Sequence, residues 1–442
     1  MHYNVAIIGG GPAGYTAARK ASEEGLSVVL FEDDQIGGTC LNRGCIPTKT
    51  LLHSSEIYRQ LANVASLGIS AQSVSYDYSA VLNRKNEVVT QLREGIEKML
   101  KGKKVTVVRS RATVNGKCEI VAGQEVYTAD DIIICTGSVP SLIPIKGIEN
   151  AVTSNEILES DMPLAEELII IGGGVIGVEI ASLYLGFGHK VTILEMADQL
   201  LPTIDSQLAS RIQVYLKKRG AEVILKAAVR EITQDKSVIY QDKNGVEKSV
   251  KGDLVLCAAG RKANIAGLFD GLDININRGI VTDENYRTSV EHIYAIGDCR
   301  NGSIQLAHNA SAQAVNVIDV IKGRDKEVDD TLIPSCIYTE PQIATVGLNQ
   351  QEAKAKGLNV SVRKSLTGAN GKALIEQAES GYVSLVINND NNQIIGAQLI
   401  CPDATNLIGE LALAVQKKLT VEELKQVVHP HPTLVEMIYE CL

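Results

Sequence analysis

Two cysteines, Cys40 and Cys45 in the segment IGGTCLNRGCIPTK (residues 36–49), have the residue type and spacing for redox chemistry. An i,i+5 pair on an ideal helix would have Cα atoms about 8–9 Å apart. A disulfide needs less than about 7 Å, so a Cys40–Cys45 bridge requires a distorted turn. Gly44 and Pro47 are residues that permit or force one. A helix N-terminus at this place would also favour a thiolate. Two chance buried thiols, or half of a metal site, are the other readings. No second cysteine or histidine pair stands at metal-ligand spacing, so no metal is expected.

A second candidate group lies near the C-terminal end. HPHPTLVE (429–436) carries His429, His431 and Glu436. Only a thiolate is competent in thiol–disulfide exchange, so a base is needed, and a histidine oriented by a carboxylate can serve. Taken alone, the segment reads equally well as a proline-rich surface loop or an H-x-H metal site.

The elements that must position these groups are written in a duplication. Residues 5–32 (VAIIGGGPAGYTAARKASEEGLSVVLFE) align without a gap on residues 168–195 (LIIIGGGVIGVEIASLYLGFGHKVTILE). Each copy reads as an apolar strand, a glycine turn, a helix, and a second strand ending in Glu: a βαβ dinucleotide fingerprint. Gly9 and Gly172 fit the tight turn, Gly11 and Gly174 let backbone approach a pyrophosphate, and Gly14 and Gly177 permit close helix–strand packing. The helix N-terminus offers N–H groups to phosphates. Glu32 and Glu195, roughly 20 residues past the first glycine, can accept from ribose hydroxyls. Two complete units imply two nucleotides, a flavin and a nicotinamide.

DIIICTGSVP (131–140) and DLVLCAAGRKAN (253–264) each read as a strand ending in a turn at a domain crossover. HIYAIGDC (292–299) reads as a strand before Gly297-Asp298, with a helix from about Leu306. Beyond about Thr331, segments such as GYVSLVIN, NQIIGAQLI and NLIGELALAVQKK predict a separate α+β domain with no glycine fingerprint.

Length suggests about three domains. Hydrophobic residues are 45%, charged residues 21% and the formal net charge is −9, so nothing points to nucleic acid or anionic membranes. MHYNVAIIGGG lacks the basic region and cleavage site of a signal peptide, and a cytoplasmic protein is expected. The apolar window 168–188 contains Glu179 in its middle and four glycines in its first half, which fits a buried strand, turn and helix better than a membrane span. Seven of the nine cysteines are scattered singly and read as small buried hydrophobes.

GGTCLNRGCIPTK following a first GxGxxG resembles the active-site signature of the class I flavoprotein disulfide reductases, the pyridine nucleotide-disulfide oxidoreductase family. The resemblance covers essentially the whole chain in the same order of motifs. It implies an α/β fold with two Rossmann-like domains, one for FAD and one for NAD(P), and a C-terminal α+β dimerisation domain. The corresponding boundaries are 1–145 (FAD-binding), 146–264 (NAD-binding), 265–330 (a central domain completing the FAD site) and 331–442 (interface). By the resemblance, Cys45 is the flavin-proximal thiol, forming a charge-transfer thiolate, and Cys40 meets the substrate disulfide. Lys49 lies at the flavin N5 edge and pairs with Glu179. Asp298 binds the ribityl chain, with Gly9, Gly11, Gly14, Glu32, Gly137 and Ala307 also on FAD. Gly172, Gly174, Gly177, Glu195 and Gly260 are placed on NAD. His431 is the acid/base and Glu436 orients it, both acting across a homodimer.

Within the family, the residues after Glu195 are MADQLLPT, with no arginine for a 2′-phosphate, so NAD is expected. Cys441 is single, where a mercuric reductase would have a vicinal pair. HPHPTLVE resembles the dihydrolipoamide dehydrogenases most. Pro430 stands where that pattern has a small residue, Thr48 where Ser is commoner, and the chain ends six residues past Glu436. The expected reaction is dihydrolipoamide + NAD⁺ ⇌ lipoamide + NADH + H⁺, with the lipoyl group carried by an acyltransferase or a glycine-cleavage carrier protein. A sibling reductase of another low-molecular-weight disulfide and a flavin-binding scaffold are the alternatives.

Overall fold

Four consecutive side chains decide how the first unit is built. Along the strand His2–Ile8, Val5 and Ile7 fall in one apolar cluster while Ala6 and Ile8 fall in another. Side chains of a strand alternate between the two faces of a sheet, so this strand must be covered on both sides. The computed structural model describes residues 1–159 and 161–442 and divides into two compact units. Unit 1 is Met1–Pro144, Ala151–Leu164 and Leu256–Asp330; unit 2 is Ile145–Asn150, Ala165–Val255 and Thr331–Leu442.

In unit 1, His2–Ile8 runs parallel to Val28–Phe31 on one side and to Glu125–Ile134 on the other. Val28–Phe31 pairs in parallel with Thr106–Val108, and Glu125–Ile134 with Ile293–Ala295. The helix Pro12–Glu23 buries Ala13, Ala17, Ala18 and Ala21 on the face formed by Val5, Ile7 and Leu30. Ala310, Ala314 and Val317 of the helix Ala307–Ile321 join the same cluster. Alanines let the helix backbones approach one another closely, which is why this helix is alanine-rich rather than leucine-rich. An antiparallel hairpin of Ala112–Asn115 and Ile120–Ala122 extends the sheet beyond Glu125–Ile134.

Unit 2 repeats the theme. Glu167–Ile171 runs parallel to Lys190–Glu195, which runs parallel to Glu222–Leu225. Leu168 to Ile171 are buried, and so is the helix Val175–Gly186 from Gly177 onward, Glu179 included. A helix apolar all round is a fully buried one, and this accounts for the hydropathy of the 168–188 window. Among the described residues, no helix is long and apolar enough to cross a membrane. A three-stranded meander (Ala228–Ile232, Ser237–Gln241, Glu247–Lys251) follows.

The residues beyond Thr331 form a five-stranded antiparallel sheet in the order Ser335–Ile337, Gln342–Gly347, Ile394–Cys401, Tyr382–Asn388, Val360–Leu366. The helix Ala404–Gln416 buries Ile408, Leu411 and Val415 in a cluster with Val383, Leu385, Ala397 and Leu399. Leu434, Met437 and Ile438 sit in that cluster too, anchoring the segment that follows the two histidines.

Candidate active site

The glycine turns reproduce each other closely. Gly9 has φ +112° and Gly172 φ +108°, a conformation that side chains rarely adopt. A Cβ on Gly14 would lie 1.8 Å from the Gly9 carbonyl oxygen, and one on Gly177 would lie 2.1 Å from that of Gly172. The third glycine is therefore required by the turn's own backbone. Around the second glycine there is room: nothing lies within 4 Å of a Cβ on Gly174, and only Gly38 Cα, at 3.7 Å, near one on Gly11. Gly11 and Gly174 are the N-caps of Pro12–Glu23 and Val175–Gly186, and neither helix start has a side-chain cap. Unbonded N–H groups beside an open, Cβ-free surface suit a pyrophosphate.

The terminal acids also match. Glu32 Oε2 accepts from Gly10 N at 2.7 Å and Oε1 from Asp34 N at 3.0 Å. Glu195 Oε2 accepts from Gly173 N at 2.6 Å and Oε1 from Ala197 N at 2.7 Å. Each carboxylate is thus locked across its own glycine turn, and each oxygen keeps a second lone pair for a ribose hydroxyl. Burial raises the Glu32 pKa, against the lowering effect of the two backbone donors.

The dithiol is carried on two helices broken at one residue. Cys40 lies in Gly38–Arg43 and Cys45 opens Cys45–Ala62, with Gly44 (φ −143°, ψ −114°) between them. This is the distortion the spacing demands. A Cβ on Gly44 would lie 2.8 Å from the Thr39 carbonyl oxygen. Pro47 falls in the first turn of its helix, where a missing N–H costs nothing, and Thr48 Oγ1 donates to the Gly44 carbonyl at 2.6 Å. The loop is pinned to the first fingerprint. Gly37 N donates to Gly10 O at 2.9 Å, and a Cβ on Gly38 would lie 2.7 Å from Gly11 Cα. The hydrogen bond with Cys45 and then burial push the Cys40 thiol pKa far up, while Lys49 opposes them. Cys45, as the first residue of an 18-residue helix, is where that helix's N-terminal dipole favours negative charge.

Asp298 sits in the turn Gly297–Cys299 at the end of Ile293–Ala295, and Gly297 N donates to Gln313 of the helix that begins at Ala307. That helix also lacks a side-chain cap. Ser138 Oγ donates to Asp298 Oδ2 at 2.6 Å, and burial raises the Asp298 pKa. Three participants here were not singled out from the sequence: Ser138, Thr39 and Arg261. Arg261 donates from Nε to Ser138 Oγ (2.8 Å) and from Nη2 to the Ser138 carbonyl (2.6 Å), with a longer contact of 3.5 Å to Thr39 Oγ1. Its only sequence signal is a basic pair, Arg261-Lys262, directly after Gly260 and shortly after a buried strand. Gly137 accepts from Asn264 N at 2.9 Å, and Gly260 accepts from Ser141 N at 2.9 Å. Gly260 lies in unit 1, whereas Gly172, Gly174, Gly177 and Glu195 lie in unit 2.

In unit 2, His431 Nδ1 is 2.9 Å from Glu436 Oε1, and Glu436 Oε2 accepts from Thr433 N at 2.9 Å. With Nδ1–H donated to the carboxylate, Nε2 keeps the lone pair of a base. Buried Asn370 donates to the Thr433 carbonyl at 3.0 Å and fixes the loop. His429 is different: its ring is 5% exposed, with Nε2 2.9 Å from Glu410 Oε1 and Nδ1 3.1 Å from the Val427 carbonyl. It is an anchor, while His431 is the presented group. Buried Glu179 accepts from Tyr338 N at 2.9 Å in unit 2, and Lys49 belongs to unit 1.

The chain matches the pyridine nucleotide-disulphide oxidoreductase family over residues 3–314, and that family's dimerisation domain over residues 333–441. It is 37% identical to a dihydrolipoyl dehydrogenase of Bacillus subtilis, over 99% of this chain and 97% of that protein. It is 38% identical to a dihydrolipoyl dehydrogenase of Geobacillus stearothermophilus, over 98% and 94%. Among solved structures, the Cu(II) complex of the HOCl-induced flavoprotein disulfide reductase RclA from Escherichia coli superposes with a TM-score of 0.88. It is 28% identical, covering 100% of this chain and 99% of that one.

Proposed function

The chain belongs to the pyridine nucleotide-disulphide oxidoreductases, and on that premise we propose that it oxidises a lipoyl dithiol with NAD⁺, as a dihydrolipoyl dehydrogenase. The observation that carries the proposal is the broken helix at Gly44, which holds Cys40 and Cys45 within hydrogen-bonding reach of each other against the first fingerprint. The relatives named dihydrolipoyl dehydrogenase support lipoamide over the RclA-type alternative, at higher identity across the full length.

FAD, when bound, supplies a two-electron carrier between a dithiol and a pyridine nucleotide. Gly9, Gly11, Gly14, Glu32, Gly137, Asp298 and Ala307 would hold it, with Lys49 and Glu179 as further residues of the reaction. Gly172, Gly174, Gly177, Glu195 and Gly260 hold NAD. His431, across the dimer, takes a proton at Nε2 from one substrate thiol, with Glu436 bearing on Nδ1. The resulting thiolate attacks Cys40 Sγ, the Cys40–Cys45 bond breaks, and Cys45 leaves as thiolate. The second substrate thiol then displaces Cys40, its proton passing to the departing Cys40 sulfur as the lipoyl disulfide closes. One electron pair is left on the protein dithiol, to pass on to NAD⁺. The functional boundaries are 1–145, 146–264, 265–330 and 331–442, and the physiological partner is a lipoyl-bearing acyltransferase or glycine-cleavage carrier protein.

The test is NAD⁺-dependent oxidation of dihydrolipoamide by the purified holoenzyme, with reduction of glutathione disulfide and coenzyme A disulfide as comparison. Turnover confined to the latter two would discard the lipoyl assignment.

A further inference from the structure

Arg261 is a half-buried cation to which, among the described residues, no carboxylate is bonded directly; its donors go instead to Ser138 and, at longer range, Thr39. The strand that carries it, Arg261–Ala263, is paired antiparallel to Ser138–Pro140, so the guanidinium and Ser138 are held in register by backbone. On one side, Ser138 Oγ hands its proton on to Asp298, the proposed ribityl ligand. On the other, Thr39 precedes Cys40. Burying a guanidinium without a direct counter-ion is costly, and the lowering of its pKa by burial shows that cost. What offsets it is field: Asp298 first, then the Cys45 sulfur, both favour the charged form, while Arg43 opposes it.

We propose that Arg261 is a positioning residue which couples the flavin-binding carboxylate to the dithiol, holding Ser138 and Asp298 in place while its fixed charge stabilises the Cys45 thiolate. The inference rests on the FAD–dithiol reading above. The charged and titratable groups bearing on the pair are Cys40, Lys49, Tyr15 and Arg261, with Arg43 and Asp298 acting on Arg261 itself. Among these, Arg261 is the one that also reaches Asp298 through hydrogen bonds. A neutral residue at this position should therefore disturb two things at once that a purely structural residue would disturb only together with folding.

The experiment compares wild-type, Arg261→Met and Arg261→Lys holoenzymes under anaerobic reduction with dihydrolipoamide. The pH dependence of the thiolate-linked long-wavelength absorbance is followed, FAD dissociation is measured by recovery of free-flavin fluorescence, and far-UV circular dichroism tracks folding. The expected result is an upward shift of the thiolate midpoint by about one pH unit in Arg261→Met, a tenfold change in that equilibrium. FAD binding should weaken about tenfold in the same variant. Arg261→Lys should restore the midpoint, because charge suffices there, but not FAD affinity, because a single ammonium cannot reproduce the guanidinium fork on Ser138. A folded Arg261→Met protein with a wild-type midpoint would overturn the coupling, whatever its FAD affinity. Loss of folding in Arg261→Met shifts the decision to Arg261→Lys, where an unrestored midpoint overturns it equally. Absence of the long-wavelength band in wild-type protein would instead remove the reading on which the inference stands.

Discussion

His431 Nδ1 lies 2.9 Å from Glu436 Oε1, on a loop whose downstream end is nailed into the apolar cluster by Leu434, Met437 and Ile438. The imidazole is 78% exposed, so the carboxylate orients a ring that nothing else in its own unit restrains. Replacing His431 by Gln should lower kcat/KM for dihydrolipoamide by about 10²–10⁴-fold, the usual worth of a positioned acid/base. Glu436→Gln should cost less, because Nδ1 then faces an amide rather than a carboxylate. Diaphorase activity with an artificial electron acceptor, which needs no substrate deprotonation, should survive in both variants. Equal loss of both activities would remove His431 from the base role.

The Thr433 N–H, and after it the His431 ring, hold the Glu436 carboxyl below the ordinary carboxylate range. A depressed folded-state pKa contributes stability above the unfolded value that is lost as pH falls through the folded one. The loop should therefore stay docked through pH 5 and loosen only below the normal carboxylate range. Limited proteolysis between His429 and Glu436 as a function of pH measures this. Opening of the loop near pH 6 would contradict the assignment.

Cys40→Ser and Cys45→Ser should each abolish lipoamide turnover while retaining FAD, since neither side chain forms the glycine turn. They should differ in colour. Cys40→Ser keeps the thiol at the helix start and should keep a long-wavelength band, whereas Cys45→Ser should lose it. Wild-type turnover in either variant would exclude the exchange mechanism.

Gly44→Ala places a methyl 2.8 Å from the Thr39 carbonyl oxygen and 3.3 Å from Cys40 Cα. The backbone must shift to admit it, at a cost of about 1–3 kcal/mol. Because the clash is on the cysteine-bearing turn itself, the damage should appear as slowed closure of the disulfide as well as a lowered Tm. A Tm loss with unchanged rates of thiol–disulfide exchange would show that Gly44 does not set the sulfur geometry.

Glu195 is buried and locked by Gly173 N and Ala197 N, so it cannot swing away from an incoming 2′-phosphate. Like charges about 4 Å apart repel by about 1 kcal/mol in water and about 4 kcal/mol at a protein surface. NADP⁺ should accordingly show kcat/KM about 10- to 1,000-fold below that of NAD⁺. Comparable values for the two would mean that this carboxylate does not face the ribose.

The two fingerprints were legible because their demands are local. A turn that a Cβ would fill, at Gly14 against Gly9 and again at Gly177 against Gly172, admits only glycine wherever the chain goes afterwards. The spacing of Cys40 and Cys45 likewise required a break, and Gly44 is where the helix breaks. The strands and helix beyond Thr331 were legible as apolar segments, GYVSLVIN, NQIIGAQLI and NLIGELALAVQKK, without a glycine fingerprint. Arg261 could not be read this way. Its partners Ser138, Asp298 and Thr39 are remote along the chain, and only the pairing of Arg261–Ala263 with Ser138–Pro140 assembles them.

The same division holds for the histidines. Motif order identified His431 and Glu436, but nothing in H-P-H distinguishes a presented imidazole from an anchoring one. That choice belongs to Glu410, on a helix that packs over the C-terminal sheet and takes the His429 ring into a site 5% exposed. By itself the sequence determined two glycine turns of the dinucleotide type, a break between Cys40 and Cys45 and the class of fold, since each is enforced by backbone sterics within a few dozen residues. Tertiary structure alone decided which histidine faces outward and which guanidinium is set against Ser138 and, through it, Asp298. Those depend on desolvation and on fields from groups that come together only when strands distant in sequence pair.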